Sequence, residues 1–153
     1  MNPGNFGRNI ARLYRERQVV YRQRQVVWNE TMDTLLMNSL LYFSSGSEPP
    51  LVRLGFAYDH VATCIRHSTD VVVSLEEIAR RLSYFRRKYK LVKELCEVFG
   101  CYFDSSTLKV VGTDEVWAEV DSLVPGKYVE IRDVCQPTYL PMCDIEVSYS
   151  LRR

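Results

Sequence analysis

Seven cations fall within one short segment: Arg80, Arg81, Arg86, Arg87, Lys88, Lys90 and Lys93. The chemistry open to such a group is anion recognition. An arginine fork pairs bidentately with guanine O6 and N7 in a major groove, and Lys and Arg neutralise phosphates. If the segment is helical, a step of about 100° per residue puts Arg80 and Arg87 behind the apolar stripe and Arg81 and Lys88 to one side. These four are the candidate contacts with double-stranded DNA. The opposing reading is a solvated helix face whose cations find partners one turn away in Glu76, Glu77, Glu94 and Glu97.

A second cationic set lies near the N-terminus. Residues 1–25 hold six arginines against the single acid Glu16, a balance of +5, which leaves 14 basic and 18 acidic side chains, or −4, in residues 26–153. The charge is segregated into a basic arm and a mildly acidic body. Arg15, Arg17, Arg22 and Arg24 could track a phosphate backbone or enter a minor groove. The arm could equally form an amphipathic helix on a protein partner, or do neither.

His60, Cys64 and His67 recur at i, i+4 and i+7, so that one helix face could carry all three. A fourth ligand of zinc-site spacing is missing unless Cys135 or Cys143 arrives in three dimensions. Core packing with a surface histidine is the favoured reading, and no metal or cofactor is expected. No Ser-His-Asp set, Gly-rich phosphate loop or paired-carboxylate motif occurs, so the expectation is a non-enzyme without a small-molecule substrate.

Several bounds follow from composition. A chain of 153 residues, 46% hydrophobic, suits one core rather than two. The longest apolar-rich run, Leu35 to Phe43, is interrupted by Asn38 and Ser39 and is too short to span a bilayer. With no apolar signal-peptide core at the N-terminus, an intracellular, non-membrane protein is expected. Five cysteines without a CxxC pair are expected to be reduced thiols.

The elements that must position these residues are legible in part. Asn29 followed by Glu30 and Asp33 is a helix start, and Met32, Leu36, Leu40 and Phe43 give the spacing of a helix over about 30–43. A second helix is expected between Leu54 and His67. Ser74-Leu75-Glu76-Glu77 is a capping box. It opens a long helix with Leu75, Ile78, Leu82, Phe85, Tyr89, Val92, Cys96 and Phe99 on one stripe and Gly100 at its end. Tyr84, Leu91, Leu95 and Val98 leave the far side of its second half wanting cover. The segment Leu108–Val111 has some strand character, Thr113 caps a fourth helix ending before Pro125-Gly126, and the remainder is expected to be an irregular tail.

The segment "RQVVYRQRQVVW" (17–28) repeats itself after seven residues, as a coiled-coil seam would. Such a seam needs helix through residue 29, where the sequence offers a helix start instead. The repeat therefore marks a boundary near residue 25.

Three further segments carry a resemblance. "WNETMDTLL" (28–36), "RRLSYFRRKYKLVKELCEVFGCYFD" (80–104) and "VVGTDEVWAEVDSLVPGK" (110–127) resemble, in order and spacing, the plant Myb/SANT-like DNA-binding domain family, which includes Harbinger-transposon helper proteins. Tyr58 stands where that family's second helix usually offers Trp, Cys101-Tyr102-Phe103 replaces the commoner Phe-Gly-Trp, and Arg80 occupies a position where Asn is frequent. The resemblance implies an all-α, three-helix helix-turn-helix with a long third helix and an additional C-terminal helix. With the charge boundary near residue 25 and the patternless tail, the expected organisation is an arm over 1–25, a domain over 26–126 and an extension over 127–153 packing on it. Trp28, Tyr58 and Trp117 are core residues on this plan. The implied function is nuclear DNA binding, for transcription or chromatin, possible alongside a rival role as an adaptor recruiting a transposase-like or chromatin protein partner.

Overall fold

The computed structural model describes Asn9, Arg12 and residues 26–149. Of the arm, Arg15, Arg17, Arg22 and Arg24 lie outside the described residues. Val26 to Asn29 are non-helical, and helix α1 runs over Glu30–Tyr42. Asn29 is extended, and its Oδ1 accepts from the Met32 N–H at 2.9 Å, satisfying a first-turn donor. No helix runs through residue 29, so the seven-residue repeat is not one continuous seam.

Helix α2 spans Pro50–Thr69, four residues longer at its start than the apolar spacing suggests. Leu51 and Val52 are exposed and so stand off the stripe, while Pro50 sits in the first turn, where a missing N–H costs nothing. Asp70, in the left-handed region at φ 58°, turns the chain out of α2. Helix α3 covers Leu75–Val98, opened by Ser74, whose Oγ accepts from the Glu77 N–H at 3.1 Å. Gly100, at φ 77°, ends it in the role expected of it.

The expectation of a purely helical fold needs correction. Strands β1 (Tyr102–Asp104) and β2 (Lys109–Val111) pair antiparallel, with Tyr102 opposite Val111 and Asp104 opposite Lys109. The hairpin is held locally. Asp104 accepts from the Ser106 N–H and hydroxyl, which holds its carboxyl below the usual range, and Leu108 takes a left-handed turn at φ 58°. Helix α4 (Asp114–Leu123) follows, with Thr113 Oγ1 accepting from the Val116 N–H.

The tail is the second correction. Instead of an irregular end, residues Tyr139–Tyr149 form helix α5, packed against α1, α2 and α3. Its Met142 and Ile145 are fully buried among Leu36, Leu40, Val61, Ile65 and Ile78 in a first core. A second core joins the later half of α3, through Val92 and Leu95, to Val110, Trp117, Val120 and Ile131. Trp117 lies inside this core, whereas Trp28 and Tyr58 are half-buried at the edge of the first. Burial pushes the Tyr58 phenol up, with the Arg86 charge pulling the other way.

One buried cation ties the first core together. Arg53, 7% exposed, donates through Nε to the Glu48 carbonyl (2.9 Å), through Nη1 to Ser44, and through Nη2 to the Ser148 carbonyl (2.8 Å) near the end of α5. Its guanidinium also lies 5.2 Å from the centre of the Tyr149 ring, and the Tyr149 hydroxyl donates to the Leu40 carbonyl. Arg53→Ala would take the donor from the Ser44, Glu48 and Ser148 carbonyls at once. A loss of about 3 kcal/mol is expected in urea unfolding, with Arg53→Lys, which cannot reach as many carbonyls at once, restoring only part.

Candidate nucleic-acid interface

The two cores decide which cations of α3 remain at the surface. Its first half buries Ile78, Leu82 and Phe85 toward α1, α2 and α5, and its second half buries Val92 and Leu95 toward the hairpin and α4. What is left facing solvent along the middle of the helix is a row at i, i+3, i+7 and i+10: Arg80, Ser83, Arg87 and Lys90, all exposed. Ser83 and Lys90 belong to this row although the basic count alone does not single them out. Ser83 is uncharged, and Lys90 becomes legible only once the buried faces are known.

The four candidate residues on α3 fall into different environments. Arg80 pairs with Glu76 at 2.9 Å, one helical turn away, with both side chains about two-thirds exposed or more. Arg87 pairs with Glu130 at 3.1 Å, again with both partners near half exposed. Exposed pairs of this kind contribute only about 0–1 kcal/mol, so a phosphate or a base can displace the carboxylate. Part of the solvated-face reading therefore holds, since Arg80 and Lys93 do find acids one turn away.

Arg81 differs from both. Its Nε and Nη2 donate to the two carboxylate oxygens of Asp33, each at 2.8 Å, in a bidentate pair that joins α3 to α1. The side chains are about one-quarter exposed, and the guanidinium lies against Tyr84 (4.5 Å), Phe85 (4.9 Å) and Trp28 (5.9 Å). The hydrogen bonds to Asp33 raise its already high pKa, outweighing the opposing effect of burial. This geometry makes Arg81 a clasp between helices rather than an available fork. Lys88 has no ion pair among the described residues and stands 4.7 Å from the Tyr84 ring, one residue round the helix from Arg87.

Other elements frame the row. Arg86 turns inward to the buried carboxylate of Glu146 on α5 at 2.8 Å. Lys127 Nζ (2.7 Å) and the Tyr128 hydroxyl both donate to Glu94, holding its carboxyl below the usual range and fastening the segment after α4 across α3. A shallow pocket is lined by Val26, Trp28, Glu77, Arg80, Arg81 and Tyr84, so the chain enters the described fold directly beside the start of the cationic row.

The histidine–cysteine face resolves differently. His60 Nδ1 lies 2.9 Å from the buried Ser39 hydroxyl and Cys64 Sγ lies 3.6 Å from His60 Nε2, while His67 is exposed in the last turn of α2. Among the described residues no group of three or more His, Cys, Asp or Glu side chains is placed to hold a metal. No helix among them is long and apolar enough to cross a membrane.

If the Asp33–Arg81 clasp sets the α1–α3 geometry, Asp33→Ala should destabilise the fold by about 1–3 kcal/mol. Thermal unfolding checks this, and an unchanged melting temperature would show the pair to be incidental.

No curated protein and no solved structure matches the chain. The Myb/SANT-like DNA-binding domain family matches residues 27–120, a span that opens just before Trp28, includes all of α1, α2, α3 and the hairpin, and stops within α4. Helix α5, which fills the first core, lies outside it. With α2, the turn over 70–74 and α3 supplying the helix-turn-helix connection, the chain belongs to the Myb/SANT-like DNA-binding domain family.

Proposed function

We propose that the protein is a nuclear, non-enzymatic DNA-binding protein that lays α3 in the major groove, with Arg80 and Arg87 as the central contacts. Membership of a DNA-binding domain family supports this. The observation that carries it is the solvent-facing row of Arg80, Ser83, Arg87 and Lys90, left clear by both cores and adjoining the root of the arginine-rich arm. Arg and Ser can read base edges, and Lys90 suits a phosphate. Arg81 acts by fixing α3 against α1, and Lys88 flanks the row. Arg15, Arg17, Arg22 and Arg24 add sequence-independent phosphate affinity. The resemblance of residues 28–36 and 80–104 extends the reading to an origin among plant, transposon-encoded helper proteins and a role in transcription or chromatin.

A second reading, an adaptor for a transposase-like or chromatin protein, is favoured by the −4 balance of residues 26–153, since DNA binders usually carry positive charge on the folded part. A salt titration on generic duplex separates the two. Binding that weakens steeply as salt rises supports phosphate neutralisation, whereas no binding at low salt sinks the DNA reading. Arg80→Glu with Arg87→Glu should abolish binding at an unchanged melting temperature. The opposite sign is expected at the competing acid: Glu130→Ala, by freeing Arg87, should tighten duplex binding by about twofold to fivefold at low salt.

A further inference from the structure

A cleft of about 520 Å³ opens between the first turns of α1 and the middle of α3, closed on its third side by the segment Cys135–Pro141. Its volume is that of a ligand pocket, far too small to admit a duplex. Along α1 it runs from Asn29 to Asn38, a distance of about 13 Å at 1.5 Å per residue. That length matches about four residues of extended chain. Trp28, Tyr84 and Pro137 supply apolar walls. Thr34 and Asn38, one turn apart on α1 and both exposed, have no hydrogen-bond partner among the described residues and can serve a peptide backbone as donor and acceptor.

The charges select the occupant further. Asp33 is neutralised within the wall by Arg81, whereas Lys88 faces the cleft with no carboxylate of its own. Arg80, Arg81, Arg86, Arg87 and Lys93 on the same helix each have one. Glu30, at the α1 end, repels a run of acids or phosphates. We propose that this cleft binds an extended segment of a partner protein, about four residues long, with aromatic or proline side chains against Trp28 and Tyr84 and a single carboxylate on Lys88. The cleft adjoins the DNA-reading row, sharing Trp28, Arg81 and Tyr84 with the pocket beside Arg80, but peptide binding there does not depend on DNA binding.

The two tryptophans give a direct readout on the full chain, because Trp28 lines the cleft and Trp117 is buried in the other core. The probes are pools of N-acetylated tetrapeptide amides composed of Phe, Tyr, Trp and Pro with one Asp, and matched pools with Lys in place of Asp. In proton–nitrogen correlation spectra the Asp pools should move the Trp28 indole signal saturably and leave that of Trp117 still. Lys88→Glu should weaken the Asp pools by at least about tenfold and turn the preference toward the Lys pools. Asn38→Trp, an exposed substitution that fills the cleft, should abolish the shift at an unchanged melting temperature. Failure of both pools to move Trp28 at millimolar concentration, equal binding of Asp and Lys pools, or binding indifferent to both substitutions would each overturn the proposal. Duplex binding by the Arg80→Glu and Arg87→Glu protein, measured separately, reports on the DNA reading without bearing on the cleft.

Discussion

One helix has to serve two cores at once. Over its first half α3 buries Ile78, Leu82 and Phe85 toward the other long helices, and over its second half Val92 and Leu95 toward the hairpin and α4. An uninterrupted helix of 24 residues can do so only because its apolar surface widens as it advances. The cost is a narrow free arc. The cations within that arc stay available, and those at its margins become structural, as with Arg81 on Asp33 and Arg86 on Glu146.

The acids beside the free arc bear on how a body with net negative charge could carry the proposed DNA-reading row. Glu76 and Glu130 lie in solvent beside Arg80 and Arg87, where ion pairs are weak and salt-sensitive. A polyanion brings many phosphates at once and competes with each pair separately. The Arg86–Glu146 pair cannot be exchanged this way, because opening it would strand the Glu146 carboxylate in the core. Burial rather than charge count thus separates the cations proposed to read DNA from those that brace the fold.

How much was legible in the sequence follows the same division between local and distant causes. Asn29, Ser74 and Thr113 announced their helices because a cap is satisfied within three residues, and Gly100 announced an end for a similar reason. Helix α5 was illegible because its buried stripe of Met142, Ile145, Glu146 and Tyr149 includes an acid while the apolar Leu140 and Val147 face solvent, so hydrophobicity does not mark the buried face. The hairpin was half visible, since three-residue strands carry too little pattern to outweigh a helical context. At the candidate site, residue type identified Arg81 as a DNA contact on the same footing as Arg80. Its partner Asp33 lies 48 residues away, and no spacing rule reaches that far. Ser83 and Lys90 emerged only when both buried faces of α3 were assigned.

The place where the chain enters the fold has a consequence beyond adjacency. Val26 shares a pocket with Arg80 and Arg81, so on the proposed reading the arm is tethered beside the contacts of α3. On that reading, seating α3 on a duplex would make the arm's phosphate contacts intramolecular, at an effective concentration on the order of millimolar. Individually weak arginine–phosphate contacts would then add avidity, and lengthening the tether between Arg24 and Trp28 would dilute that gain without touching a single contact.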